Sequence, residues 1–130
     1  MALSRGLADT SVFVAGEAGR PIRTEHFPEE LAVSIITVGE LRAGVLAATD
    51  TRVRDRRLST LAAALALQPI PIDNSVAVRW AMLRVLLREE GLRMPVNDSW
   101  IAATAMALEV PVVTQDADFP SIDGLQVIRA

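Results

Sequence analysis

The sequence contains no cysteine, no tyrosine, no lysine and a single histidine among its 130 residues. Without cysteine there can be no disulfide, no thiolate zinc site and no cysteine nucleophile. Because lysine is absent, all 13 residues that are lysine or arginine are arginine. This excludes a phosphoacceptor receiver domain, which needs a lysine after its last strand. His26 precedes Phe27 and Pro28, and we expect it to be a solvated loop residue rather than a ligand.

Long apolar runs are absent as well. No uncharged apolar segment reaches the roughly 18 residues that span a bilayer, because polar residues and two prolines interrupt residues 58–72. Arg5 and Asp9 deny the N-terminus the apolar core of a secretory signal. We therefore expect a cytoplasmic protein that does not enter a membrane. The hydrophobic content of 51% predicts one domain over residues 1–130, with some apolar surface covered by another subunit or a protein partner.

Short apolar segments alternate with helical patterns along the chain. Strands are predicted near residues 2–8, 31–36, 70–72, 110–114 and 125–128. Helices are predicted from Asp9 onward and over 37–48, 52–67, 76–90 and 99–109. This alternation predicts a parallel sheet covered on both faces, and therefore an α/β fold. The segment after the first strand lacks Gly-x-Gly-x-x-Gly, which argues against dinucleotide binding.

Acidic residues stand where several of these segments end. Asp9, Glu40 and Asp116 follow predicted strands, and Asp98 begins a predicted helix. The carboxyl ends of parallel strands meet at one edge of the sheet, where open α/β folds bind ligands. Carboxylates that converge there repel one another, and Mg²⁺ or Mn²⁺ relieves that repulsion. The sequence therefore predicts a metal site built from these four acids.

Each acid also has a purely structural interpretation. Asp9 could cap the helix that follows it. Thr37 and Glu40 have the spacing of a capping box, with Thr37 as the N-cap and Glu40 at N3. Asp98 could be a first-turn acid favoured by the helix dipole, and Asp116 lies in an ordinary turn composition. Only the convergence of all four acids from separate elements points to chemistry.

Four blocks of the sequence carry a resemblance. They are Asp9-Thr10-Ser11, Ser34 to Leu41 followed by Gly44, Asn97-Asp98 with residues 101–105, and Thr114 to Phe119. In order and spacing they resemble the PIN-domain ribonuclease toxins of the VapC type, across nearly the whole chain. The resemblance implies a three-layer α/β/α domain with a central parallel sheet. It also implies an Mg²⁺- or Mn²⁺-dependent endoribonuclease that leaves a 5′-phosphate, a VapB-like antitoxin as partner, and a homodimer.

The resemblance also carries over to individual positions. It implies that the catalytic and metal-binding acids are Asp9, Glu40, Asp98 and Asp116. Asp118 is close enough to Asp116 to substitute for it or to support it. The residues that could hold water or phosphate through their hydroxyl groups are Thr10, Ser11 and Thr114.

Two features depart from the family pattern. Arg5 and Gly6 interrupt the first strand, and Trp100 is a bulky residue directly after Asp98-Ser99. We expect Trp80 to pack in the core rather than to stack on a base. Trp100 could form a wall for the substrate or a contact with a protein, although packing in the core is the simpler interpretation. The alternative function is a catalytically inactive module of the same fold that binds RNA or protein, although the presence of all four acids argues against it. A DNA flap nuclease would need additional elements for which 130 residues leave no room.

Overall fold

The computed structural model describes residues 4–130. The chain runs through β1 (Arg5–Ala8), α1 (Thr10–Ala18), β2 (Glu30–Val33), α2 (Ile35–Ala47), α3 (Thr51–Leu65), α4 (Asn74–Glu89), α5 (Val96–Leu108), β3 (Val112–Thr114) and β4 (Val127–Arg129). The predicted alternation of strands and helices is confirmed. The predicted start of the first strand near Ala2 lies outside the described residues. Within residues 4–130, no helix is long and apolar enough to cross a membrane.

The strands form one parallel sheet in the order β2-β1-β3-β4. The chain leaves β1 toward β2 on one side and later returns to β3 on the other side. The direction of winding therefore reverses between β1 and β3. In open α/β sheets, such a reversal opens a crevice at the carboxyl ends of the two strands.

Helices cover both faces of this sheet. On one face, α4 and α5 contribute Leu83 and Ile101 to a core that includes Leu7 of β1 and Val112 of β3. On the other face, a second core joins β2 to α2 and α3, with Phe13 of α1 packed against it. These layers confirm the predicted three-layer α/β/α architecture with a central parallel sheet.

Gly6 is the residue that allows the loop before β2 to pack on β1. A Cβ atom at Gly6 would lie 2.6 Å from Pro28 Cγ and 3.1 Å from Val113 Cγ2. Both distances are shorter than ordinary van der Waals contacts. The glycine that interrupts the first strand is therefore required by close packing.

Several boundaries differ from the sequence prediction. Helix α2 begins at Ile35 rather than at residue 37, because Ser34 is its N-cap and accepts a 3.0 Å hydrogen bond from Ile36 N. Residues 70–72 do not form a strand, and Ile70 makes only an isolated parallel bridge with Ser34. The last strand spans Val127–Arg129 and thus reaches one residue beyond the predicted 125–128.

Helix α4 buries only one of its two apolar faces. Val78, Met82 and Val85 recur at helical spacing, but these side chains are 51%, 58% and 48% exposed. The buried residues of α4 are Val76, Leu83 and Leu87. Both faces of this helix are apolar in sequence, and packing against α5 covers only one of them.

Candidate metal centre

Three carboxylates meet beside the crevice between β1 and β3. One oxygen atom each from Asp98, Asp116 and Asp118 lies within 4.8 Å of the other two. Asp116 and Asp118 follow β3, and Asp98 lies in the first turn of α5. Because α5 packs across β1 and β3, its first turn reaches the carboxyl edge of the sheet. Asp118, considered in the sequence as a substitute for Asp116, lies in the same group as Asp116.

Asp9 lies directly after β1 and is 2% exposed. Its Oδ2 atom accepts hydrogen bonds from Thr114 Oγ1 at 2.9 Å and from the backbone N of Ser11 at 3.3 Å. The bond from Ser11 makes Asp9 the N-cap of α1, so the capping interpretation is confirmed. Both hydrogen bonds use the same oxygen, and capping is therefore compatible with a second role for this carboxylate.

Glu40 is not part of a capping box. Since Ser34 caps α2, Glu40 lies in the second turn of that helix, and the box predicted with Thr37 is wrong. Glu40 Oε1 accepts a 2.7 Å hydrogen bond from Thr10 Oγ1, which lies 2.8 Å from Thr37 Oγ1. A threonine hydroxyl group has one proton to donate. Thr37 therefore donates to Thr10, and Thr10 donates to Glu40.

Thr114 connects two of the acids at the end of β3. This buried side chain donates to Asp9 and accepts a 2.8 Å hydrogen bond from the backbone N of Asp116. Ser11 Oγ lies 3.1 Å from Thr114 Oγ1 and accepts from Gln115 N at 2.9 Å. The contacts of these hydroxyl groups are with acids, with the backbone and with each other. Their visible role is to orient the carboxylates.

The electrostatics of the site are concentrated on Asp98. The pKa of Asp98 is raised from 3.8 to about 7, first by burial of the carboxyl group and then by the negative charges of Asp9, Asp116, Glu40 and Asp118. All five acids therefore lie close enough to interact. Within residues 4–130, the one salt bridge joins Arg5 to Glu30 at the amino-terminal edge of the sheet. It therefore lies at the opposite edge from the five acids and does not neutralise them.

The donor atoms suit a hard divalent cation. All the acids offer carboxylate oxygens, and His26 is an exposed residue of the loop before β2. Oxygen-only sites favour Mg²⁺, Mn²⁺ or Ca²⁺ over metals that prefer sulfur or imidazole. A nearby dication would reverse the repulsion that raises the pKa of Asp98. The side chains present therefore fit a divalent metal.

Two tryptophans brace the turn that carries Asp98. The rings of Trp80 and Trp100 stack with centroids 4.3 Å apart and an interplanar angle of 6°. Trp80 Nε1 donates to Ser99 Oγ at 3.0 Å, and Ser99 Oγ donates to Val96 O at 2.5 Å. The tryptophans are half-buried between α4 and α5 rather than enclosed in the core. The sequence shows that a bulky residue, Trp100, follows Asp98 closely, but it does not indicate that Trp80 stacks on it.

An open cleft adjoins Glu40. It is lined by Ile35, Ile36, Gly39, Glu40, Ala43 and Asn97. A Cβ atom at Gly39 would meet nothing within 4 Å. The absence of a side chain at this position therefore widens the cleft. The cleft combines an apolar side with the amide of Asn97 immediately beside the acidic residues.

The fold and the site together define a three-layer α/β/α domain with an acidic centre, and a PIN-domain family model matches residues 7–125. The chain belongs to the PIN-domain family. It is similar to ribonuclease VapC5 of Mycobacterium tuberculosis, with 44% identity over 127 residues that cover 95% of this chain and 94% of that protein. Ribonuclease VapC4 of the same organism is 45% identical over 128 residues, which cover 98% of each chain.

Solved structures show the same likeness. The crystal structure of VapBC-5 from Mycobacterium tuberculosis, a member of the VapBC family of toxin-antitoxin systems, matches with a TM-score of 0.90 and 40% identity over 98% of this chain and 99% of that chain. FitAcB from Neisseria gonorrhoeae matches with a TM-score of 0.69 and 26% identity over 93% and 94%. The matched family span of residues 7–125 contains all five acids of the site.

Proposed function

We propose that the chain is a divalent-metal-dependent endoribonuclease and the toxin of a toxin–antitoxin pair. The observation that carries this proposal is the meeting of Asp98, Asp116 and Asp118 within 4.8 Å at the carboxyl edge of the sheet. Asp9 and Glu40 lie close enough to raise the pKa of Asp98. Two relatives that are named ribonucleases, at 44% and 45% identity over nearly the whole chain, support it.

The proposed catalytic and metal-binding residues are Asp9, Glu40, Asp98 and Asp116, with Asp118 as a further ligand. When bound, Mg²⁺ or Mn²⁺ would stabilise the charge on the phosphodiester and lower the pKa of the attacking water. Asp98 must lose its proton to become a ligand, because cations bind the ionised carboxylate. Thr10 and Thr114 hold Glu40 and Asp9 in place through their hydroxyl groups.

The substrate of this proposal is RNA that lies along the cleft beside Glu40. Ile35 and Ile36 offer an apolar wall for a base, and the amide of Asn97 can hydrogen-bond to a base edge or a phosphate. Arg42 is exposed on the same helix as Glu40, and its positive charge would contribute to the long-range attraction of RNA. The acidic residues do not repel RNA once a cation occupies the site, because the cation then faces the phosphate.

The proposed partners are a VapB-like antitoxin and a second copy of the chain. The antitoxin is supported by the likeness to VapBC-5, which belongs to a family of toxin-antitoxin systems. The homodimer is supported by the exposed apolar stripe of Val78, Met82 and Val85 on α4, because a contiguous apolar surface of this kind favours association. An RNA-cleaving toxin of this kind would act in the cytoplasm, where its substrate is found.

The test uses the full chain, purified free of antitoxin, with RNA and either Mg²⁺ or Mn²⁺. We expect cleavage that stops on chelation and returns when metal is added back. Asp98→Asn should reduce the rate by about a thousandfold, because metal catalysis supplies several kcal/mol of transition-state stabilisation. Asp55→Asn, an exposed acid on α3, is the matched control and should retain full activity.

Two outcomes would contradict the proposal. The first is full metal-dependent activity of Asp98→Asn, which would move the chemistry away from this site. The second is a wild-type protein that binds RNA but does not cleave it with either metal. That result would favour the inactive binding module.

A further inference from the structure

Arg129 lies at the end of the last strand, opposite Thr114 in the parallel register of β3 and β4. Its Nη1 atom donates to the backbone carbonyl of Asp116, and its Nη2 atom donates to the carbonyl of Phe119 at 3.2 Å. One guanidinium group therefore joins the two ends of residues 116–119. This segment, which we term the acidic loop, carries Asp116 and Asp118.

Few other interactions hold the acidic loop. Residues 115–120 contain no strand or helix. At one end, Gln115 donates to Ser11 Oγ and Pro21 O, and Asp116 N donates to Thr114 Oγ1. At the other end, the side chain of Phe119 is buried in the core. Between these anchors, Asp118 N donates to Asp116 Oδ1 at 2.8 Å. The positions of both carboxylates thus depend on a short segment that is anchored mainly at its two ends.

Electrostatic repulsion acts against this arrangement. Asp116 and Asp118 each place an oxygen within 4.8 Å of Asp98, so ionisation of the group favours opening of the acidic loop. Arginine suits the opposing role because its planar guanidinium group offers several donors in a fixed fork. A lysine ammonium group is a compact point charge and cannot reproduce this fork.

The family pattern does not account for this contact. Arg129 lies beyond residues 7–125, which match the PIN-domain model. In the sequence it is an isolated arginine one residue from the end of the chain, with no motif around it. Its contacts with the acidic loop become visible only in the folded structure.

We propose that Arg129 is a positioning residue for the metal centre. It holds the acidic loop so that Asp116 and Asp118 meet Asp98 in a geometry that binds a cation. This inference rests on the proposed function, because it assigns a role within the same metal centre. Its consequence is that loss of the guanidinium fork weakens metal binding without changing the contacts that hold RNA elsewhere.

The experiment measures Mn²⁺ affinity by calorimetry on the full chain, together with kcat, the KM for RNA and their dependence on Mg²⁺ concentration. Arg129→Met keeps the aliphatic stem, and Arg129→Lys keeps the charge but loses the fork. We expect both variants to bind Mn²⁺ about 10-fold to 100-fold more weakly, the usual cost of removing a residue that orients metal ligands. Their kcat should fall at low Mg²⁺ and recover at high Mg²⁺, while the KM for RNA stays constant.

Arg5→Met is the matched control. Arg5 also lies at the end of a strand, but its ion pair with Glu30 is at the amino-terminal edge of the sheet. This variant should keep the Mn²⁺ affinity of the wild type. Thermal unfolding of the metal-free variants separates loss of positioning from loss of the fold. If Arg129→Met does not fold, Arg129→Lys alone decides the inference.

The outcomes distinguish this inference from the proposed function. Asp98→Asn should abolish Mn²⁺ binding, and if the wild type itself binds no Mn²⁺, the metal centre and the role of Arg129 fail together. If Asp98→Asn loses binding but Arg129→Met retains wild-type affinity, only the role of Arg129 is overturned. Full recovery by Arg129→Lys would also overturn it, because charge alone would then explain the effect.

Discussion

The hydroxyl group of Thr10 donates a 2.7 Å hydrogen bond to Glu40 Oε1. This bond joins the first residue of α1 to the second turn of α2 across a separation of 30 residues. The side chain of Thr37 is fully buried, and its hydroxyl group donates a hydrogen bond to the hydroxyl group of Thr10. The carboxylate of Glu40 is therefore oriented by a directed chain of two hydroxyl groups. Such supporting hydrogen bonds normally strengthen metal binding.

Removal of the first hydroxyl group in this chain should weaken the metal centre. Thr37→Val keeps the shape of the side chain but cannot donate to Thr10, so Thr10 loses the hydrogen bond that orients it toward Glu40. We expect Mn²⁺ affinity to fall by about tenfold and the free energy of unfolding to fall by about 1 kcal/mol. Isothermal calorimetry and chemical denaturation measure the two quantities.

The control for this prediction is Thr104→Val. Thr104 is also fully buried, but its hydroxyl group donates to Trp100 O within α5 and does not reach Glu40. This variant should lose similar stability and keep wild-type Mn²⁺ affinity. Thr37→Ser, which retains the donor, should restore binding. Equal losses of affinity in Thr37→Val and Thr104→Val would contradict a specific role for the hydroxyl chain.

The raised pKa of Asp98 predicts an unusual pH dependence of stability in the metal-free protein. The folded state holds this proton up to about pH 7, whereas the unfolded chain releases it near the ordinary value of 3.8. Between these values the folded state binds more protons, so this group's contribution to stability falls as pH rises. The loss should be complete above about pH 7 and absent below about pH 4.

The difference between wild type and Asp98→Asn isolates this contribution from those of other acids. Melting temperatures of the two metal-free proteins should be compared from pH 4 to pH 8. We expect the variant to become the more stable of the two as pH rises. Added Mg²⁺ should stabilise only the wild type, because binding to the folded state raises its stability. A constant difference across this pH range would show that Asp98 titrates normally.

The sequence could predict the location of Asp9 and Asp116 because Asp9 directly follows β1 and Asp116 lies two residues after β3. In a parallel sheet, the register of neighbouring strands brings such positions to one edge without any knowledge of side-chain contacts. Asp98 could be predicted less directly, since its place depends on how α5 packs across the sheet. That both Asp116 and Asp118 come within 4.8 Å of Asp98 could not be predicted, because the conformation of a short loop decides it.

Other parts of the site left no clear pattern in the sequence. The spacing of Thr37 and Glu40 matches a capping box, but Ser34, three residues earlier, competes for the same role and wins. Arg129 contacts the carbonyl of Asp116, 13 residues away, through its side chain. No local periodicity or turn rule encodes such a contact. The buried face of α4 could not be predicted either, because two apolar faces on one helix cannot be ranked from spacing alone.

Two glycines should respond to alanine in opposite directions. Gly6→Ala would place a Cβ atom 2.6 Å from Pro28 Cγ, and we expect it to lower the free energy of unfolding by about 1–3 kcal/mol. Gly39→Ala lies within α2 with open space around the added Cβ, and we expect it to raise stability by about 0.5–1 kcal/mol, since alanine favours the helix. Urea denaturation measures both, and destabilisation by Gly39→Ala would contradict this account of its surroundings.

The stacked tryptophans should report occupancy of the metal centre. Trp80 and Trp100 are the two tryptophans of a chain without tyrosine, so they dominate its intrinsic fluorescence. Trp80 also donates to Ser99, which lies beside Asp98 in the first turn of α5. Ionisation of Asp98 and cation binding change the electrostatic field at this turn, so titration with Mg²⁺ should shift the wavelength of tryptophan emission in the wild type.

The controls are two acid variants. Asp98→Asn should show no shift of the emission wavelength, whereas Asp55→Asn should behave as the wild type. An equal shift in all three proteins would mean that the tryptophans respond to ions bound elsewhere.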